Sequence, residues 1–175
     1  MALEFFLLAA FLLLITFIIL NYNRLTFLRL RVRNSWAQVD VQLKRRYDLI
    51  PGLMETVKGY ARYEKEILIK ITKYRSMLVV GDVGQKADAN NLMSNTLKSI
   101  FAVSENYPKL KADKNFLSIQ EDLADTENKI AYARSAYNDD VLEFNTAVQL
   151  FPSNIIAGFF GFSKEQFFTV NKEEE

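Results

Sequence analysis

The residues best suited to chemistry are carboxylates. Asp122, Asp125, Glu127, Asp139, Asp140 and Glu143 share one stretch of chain and in principle supply an acid-base pair or a bridge between two metal ions. A carboxylate-bridged di-iron bundle wants Glu-x-x-His on two helices, and the sequence has no histidine. Cysteine is absent as well, which removes thiol nucleophiles, disulfides, zinc-finger spacings and imidazole bases together. No serine has a base to activate it. The loop Gly81, Asp82, Val83, Gly84 lacks the Lys-Ser/Thr ending that a phosphate loop needs. The six acids therefore read as solvated helix faces, and no catalytic residue, metal or cofactor is expected.

The elements that carry these acids are helices. The chain has 175 residues, half of them hydrophobic and a quarter charged, with only six glycines and three prolines. That is one ordinary domain plus an appendage, and a helical one. Lys and Arg (22) balance Asp and Glu (21), so whole-chain charge predicts no nucleic-acid partner.

Apolar side chains recur at three- and four-residue steps: Trp36, Val39, Leu43, then Leu53, Val57, Tyr60. Pro51 lacks an amide hydrogen and disfavours helical geometry at Ile50, while Asp48 can cap a new helix. A structural turn at Asp48, Ile50 and Pro51 is the reading; a kinked continuous helix is the alternative. A second helix over about 51–79 then carries Leu53, Val57, Tyr60, Ile67, Ile71, Tyr74 and Leu78 on one side. A third, about 88–106, points Leu92, Thr96, Ile100 and Val103 inward. The fourth, about 114–150, places Phe116, Leu123, Ile130, Tyr137, Phe144 and Phe151 seven apart, a bundle seam. Trp36, on an apolar stripe, reads as core, with an interfacial anchor as the lesser alternative. Gly52 and Gly59 could let helices approach closely.

The first stretch is different. Residues 5–23 carry no charge and, as helix, reach roughly 28 Å, close to the hydrocarbon thickness of a bilayer. A cleaved signal peptide fits less well, because Glu4 stands where a base is expected and Asn21, Tyr22, Asn23 offer no small-residue cleavage site. The fold class is therefore all-α: an N-terminal transmembrane helix followed by an antiparallel up-down-up-down four-helix bundle. Its units are an anchor over 1–23, the bundle over 24–170 with an aromatic segment at 151–168, and an acidic tail at 171–175.

Arg24, Arg29, Arg31 and Arg33 follow the anchor. By the positive-inside rule they put the N-terminus outside and the bundle in the cytoplasm. They are candidate lipid-headgroup contacts, at about 1 kcal/mol each near an anionic surface, or serve topology alone. Ile155, Ile156, Phe159, Phe160 and Phe162 return to the membrane-proximal end, as an interfacial patch touching lipid or a partner, or as a plug under the bundle. At the far end Lys44, Arg45 and Arg46 lie level with Glu121, Asp122, Asp125 and Glu127. Exposed pairs among them would set register.

The run Gln42 to Pro51, followed by Leu53, Glu55, Thr56, Val57, Lys58, Gly59 and Tyr60, resembles the LemA family of bacterial membrane-anchored helical proteins. A second match is Thr126 to Arg134, then Tyr137 and Asn138, with Phe151-Pro152 and Gly161-Phe162 after it. Two positions depart: Tyr47 stands where the family often has histidine, and Gly52 where asparagine is usual. The resemblance implies a cytoplasmic four-helix bundle on a single span, without a settled activity. Members sit in genomes beside membrane metalloproteases, and one branch takes part in forming magnetosome membranes.

The expected function is a non-enzymatic interaction or scaffold module. Its partners would be membrane lipid and a membrane or cytoplasmic protein, a metalloprotease by family association, or a second copy of itself. A membrane-organising role through lipid contacts is the rival.

Overall fold

The computed structural model describes residues 2–58 and 65–169, apart from the side chains at 65, 66 and 68. In chain order the helices are α1 (Ala2–Lys58), α2 (Lys65–Met77), α3 (Val83–Ser104), α4 (Pro108–Lys111), α5 (Lys114–Gln149) and α6 (Ser153–Phe160), with no strand among the described residues. The all-α fold class is what the periodicity predicted. Tyr60, Gly59 and the 171–175 tail lie outside the described residues.

The main difference concerns the turn at Asp48, Ile50 and Pro51, which does not form: α1 is one helix of 57 residues with Pro51 inside it. Proline there leaves the carbonyl of Tyr47 without its intrahelical donor. That vacancy is filled from α2, where the Arg75 Nε–H donates to the Tyr47 carbonyl at 2.9 Å while its guanidinium stacks over the Tyr47 ring at 3.7 Å. A tertiary donor thus replaces the missing local one, and the helix continues. Asp48 does not cap a helix; it accepts from Lys44 one turn earlier, at 2.9 Å.

With α1 continuous, α1 and α5 form a long antiparallel pair, and α2 and α3 are a shorter hairpin laid on its far half. Register is fixed by Arg31 with Asp140 and Glu143 near one end, and by Arg45 with Asp122 and Asp125 near the other. Leu43, Ile50, Leu53 and Val57 of α1 are buried, as are Phe116, Leu123, Ile130, Tyr137 and Phe144 of α5. Gly52 allows close approach: a Cβ there would sit 3.3 Å from Ile119 Cδ1. Phe151, the last of the heptad series, is exposed because α5 ends at Gln149 and Leu150 is extended. On α3 the inward stripe is Met93, Leu97 and Ile100; Ile100 is buried as expected, whereas Leu92 is exposed and Thr96 half-buried, their places taken by the next residues, Met93 and Leu97.

Turn chemistry sets the hairpin. Asp82 caps α3 by accepting from the Gln85 amide while the Gln85 side chain accepts from the Asp82 amide. Asp113 caps α5 through the amides of Asn115 and Phe116. Gly161, at φ +72, ends α6 in the left-handed region.

From Gly161 the chain climbs back as an extended strap over 162–169 along the near half of α5. Asn145 brackets Glu165, donating to its carbonyl and accepting from its amide, and Asn138 does the same for Phe168. The Tyr137 hydroxyl donates to the Gln166 carbonyl at 2.7 Å. Phe168 is buried, its ring 6.2 Å from that of Trp36, and Trp36 lies 5.3 Å from Tyr137. At the strap's upper end Asn91 of α3 donates to the Thr169 carbonyl. The strap fills the groove that the short hairpin leaves open.

Candidate functional site

The outer positions of α1 divide into three parts. The first is its N-terminal part, where an 18-residue window is apolar and long enough to cross a membrane and none of that window is buried in the structure. Ile18 is the first residue of α1 packed against the rest of the molecule. Tyr22 follows one turn later, with ring centroids 4.8 Å from Phe160 and 5.8 Å from Phe162.

Those rings belong to the second part, the end of the bundle next to the apolar part of α1. The structure separates the five apolar candidates there into two sets. Ile156 is buried and Phe162 half-buried against Phe144, whereas Ile155 and Phe159 point outward, Phe159 at 82% exposure, and Phe160 lies exposed at the edge against Tyr22. The four arginines separate too. Arg31 is held by Asp140 at 2.5 Å and Glu143 at 2.8 Å; Arg29 lies 3.9 Å from Glu165 and 5.9 Å above the Phe162 ring. Arg24 and Arg33 are exposed and make no ion pair among the described residues.

The third part is the side of the α1–α5 pair away from the hairpin. Between the Arg31 and Arg45 ion-pair clusters, Gln38, Val41 and Gln42 face Asn128, Lys129, Tyr132 and Ala133 across a groove of about 510 Å³. Tyr132 is 80% exposed and Val41 is exposed as well. The Oε1 of Gln42 is buried there without a hydrogen-bond partner. Sequence reasoning missed this groove. The available signal was Val41 and Tyr132, large apolar residues off the buried stripes of their helices.

Of the basic residues expected to pair at the far end, Arg45 bonds Asp122 at 3.1 Å and Asp125 at 3.3 Å, and Arg46 meets Glu127. Lys44 pairs with Asp48 instead, and Glu121 stays exposed. The expectation that these pairs are exposed fails for Arg46, whose side chain is 1% exposed and also donates to Asn90 and Ser94 of α3. Burial pushes its guanidinium down to about 10, so it stays protonated at neutral pH. Lys129, bonded to Asp125, holds that carboxyl below its usual range. Tyr137 is pushed up to about 12, first by burial and then by the charge of Glu165, and so remains a neutral donor to the strap.

Among the described residues no group of three or more His, Cys, Asp or Glu side chains is placed to hold a metal ion. Five of the six acids singled out on α5, Asp122, Asp125, Glu127, Asp140 and Glu143, are instead used in ion pairs with Arg31, Arg45 and Arg46.

The family model of the LemA family matches residues 35–175. "Protein LemA" of Metamycoplasma hominis is 28% identical over 128 residues, covering 72% of this chain and 58% of the relative. "Magnetosome protein MamQ" of Magnetospirillum gryphiswaldense is 21% identical over 181 residues, covering 88% and 66%. "Magnetosome protein MamQ 2" of Paramagnetospirillum magneticum is 22% identical over 178 residues, covering 86% and 65%. The chain thus spans under two thirds of the length of these curated relatives.

Proposed function

The chain belongs to the LemA family, and from that premise we propose that it is a membrane-anchored, non-catalytic helical bundle that acts by contact with a second protein. The anchor is the apolar N-terminal part of α1, the bundle lies in the cytoplasm, and the N-terminus is outside, an orientation favoured by the four arginines between residues 24 and 33. The units are the anchor over 1–23 and the bundle from residue 24 onward.

One observation carries the reading: the groove at Val41 and Tyr132. A tyrosine exposed to 80% beside an exposed valine and a buried, unpartnered acceptor on Gln42 is what a contact surface offers a partner. Tyrosine is among the residues that carry binding energy when their surroundings become dry. The partner is another membrane or cytoplasmic protein, or a second copy of the chain.

A photo-reactive residue at position 132 of the full chain, activated in native membranes, tests this. Cross-linking to one discrete protein, or to a second copy, is expected. Recovery of lipid adducts alone would overturn the reading in favour of a membrane-organising role through lipid, whose motivation is the row of outward rings on α6.

A further inference from the structure

We infer that α6, with the Leu150-Phe151 step before it, is a second membrane-contact element that lies in the headgroup layer beside the anchor. The inference rests on the anchoring reading above and goes beyond it, because a tether alone leaves the bundle free to swing.

Height decides the matter. α6 packs on α1 at Tyr22, whose ring meets that of Phe160, and Tyr22 lies inside the uncharged 5–23 stretch rather than beyond it. At about 1.5 Å per residue, Tyr22 and Asn23 stand within roughly 10 Å of Ile18 along the same rod. Because α1 is continuous through this region, α6 cannot be carried away from the bilayer by a joint. An element fixed to the last apolar turns of a spanning helix is at the level of the headgroups.

Composition agrees with height. Residues 150–163 contain no Asp, Glu, Lys or Arg. The face of α6 turned from the bundle carries Ile155 and Phe159, Phe160 stands exposed at its edge against Tyr22, and Leu150 and Phe151 precede it in the chain; all five are exposed while Ile156 and Ala157 are buried beneath. Five large apolar side chains in one uncharged patch form a surface that water disfavours. Helices of this kind settle with the apolar face about 5–10 Å into the boundary between headgroups and acyl chains. Tyr22 adds an aromatic with a polar tip at the same level, and Arg24 stands two residues, about 3 Å, further along the rod. The bilayer interface is therefore the occupant that both the position and the chemistry of this face select, ahead of a second protein.

The absence of cysteine makes the test direct. Single cysteines carrying a nitroxide spin label are placed at Phe159, at Leu12 in the anchor and at Tyr132 in the groove, each in the full chain reconstituted in phosphatidylcholine-phosphatidylglycerol vesicles. Collisions with oxygen, which concentrates in lipid, are compared with those of a nickel chelate, which stays in water. The Leu12 label is expected to be deep, the Phe159 label shallow but lipid-exposed with a severalfold higher oxygen-to-nickel ratio than Tyr132, and the Tyr132 label in water. A deep Leu12 label with a Phe159 label as open to nickel as Tyr132 would overturn the inference and leave the anchor standing. A Phe159 label shielded from both quenchers would assign the face to protein and overturn it too. A Leu12 label in water would remove the anchor, and the inference with it.

Discussion

The two halves of the α1–α5 pair are closed by different means. Over the far half, α2 and α3 lie on the pair as helices, and Arg46 reaches between α1, α3 and α5 to bond Asn90, Ser94 and Glu127. Over the near half α6 covers only the end beside Tyr22, and an extended strap seated by Asn138, Asn145 and Tyr137 closes the rest. Helix-on-helix packing satisfies its own backbone, so it needs only apolar faces. An extended segment brings unpaired amides and carbonyls, and side chains of the helix beneath must bond them. The asparagines supply this by copying the donor-acceptor pair of a β-bridge.

That contrast can be broken at three points. The largest effect is expected at Phe168→Ala, which empties a buried ring site between the strap and Trp36. A loss of about 3–5 kcal/mol in denaturant unfolding of the full chain in detergent is expected. A loss below about 1 kcal/mol would mean the strap decorates the near half rather than closing it.

Next, Glu127→Ala leaves the buried Arg46 guanidinium without its anion, at about 3 kcal/mol because Glu127 keeps nearly half its surface in water. Arg46→Met removes the buried charge itself and should cost less than Glu127→Ala. The reverse order by thermal melting would show that the ion pair, not relief of burial, dominates the far half.

The smallest effect sharpens the comparison at the proline. Arg75→Leu orphans the Tyr47 carbonyl, with an expected loss of about 1–3 kcal/mol. Pro51→Ala returns a local donor and should absorb most of that loss in the double variant. If the two losses add without coupling in a double-mutant cycle, Arg75 is not the reason the helix runs through.

The same contrast explains what the sequence made legible. Heptad spacing located α5 within a residue and named its buried side chains from Phe116 to Phe144 correctly, because a long helix buried along one stripe has a period to read. Pro51 misled because the local rule was sound and the compensation came from Arg75, far along the chain. The strap has no period: an asparagine on a helix looks the same whether it meets water or another segment's backbone. Exposed candidates fared in the same way. The apolar residues at 155–162 were found by composition, but which of them face outward follows from the packing of α6 on α1 at Tyr22 and on α5.

An uninterrupted α1 makes the molecule a lever. Its 35 residues beyond Asn23 extend about 52 Å, and at an ordinary span tilt of about 20° the distal tip is carried sideways by roughly 18 Å. On the anchoring proposed above, a change in bilayer thickness that alters the angle of the anchored end would be carried along the same rod to whatever the opposite end approaches.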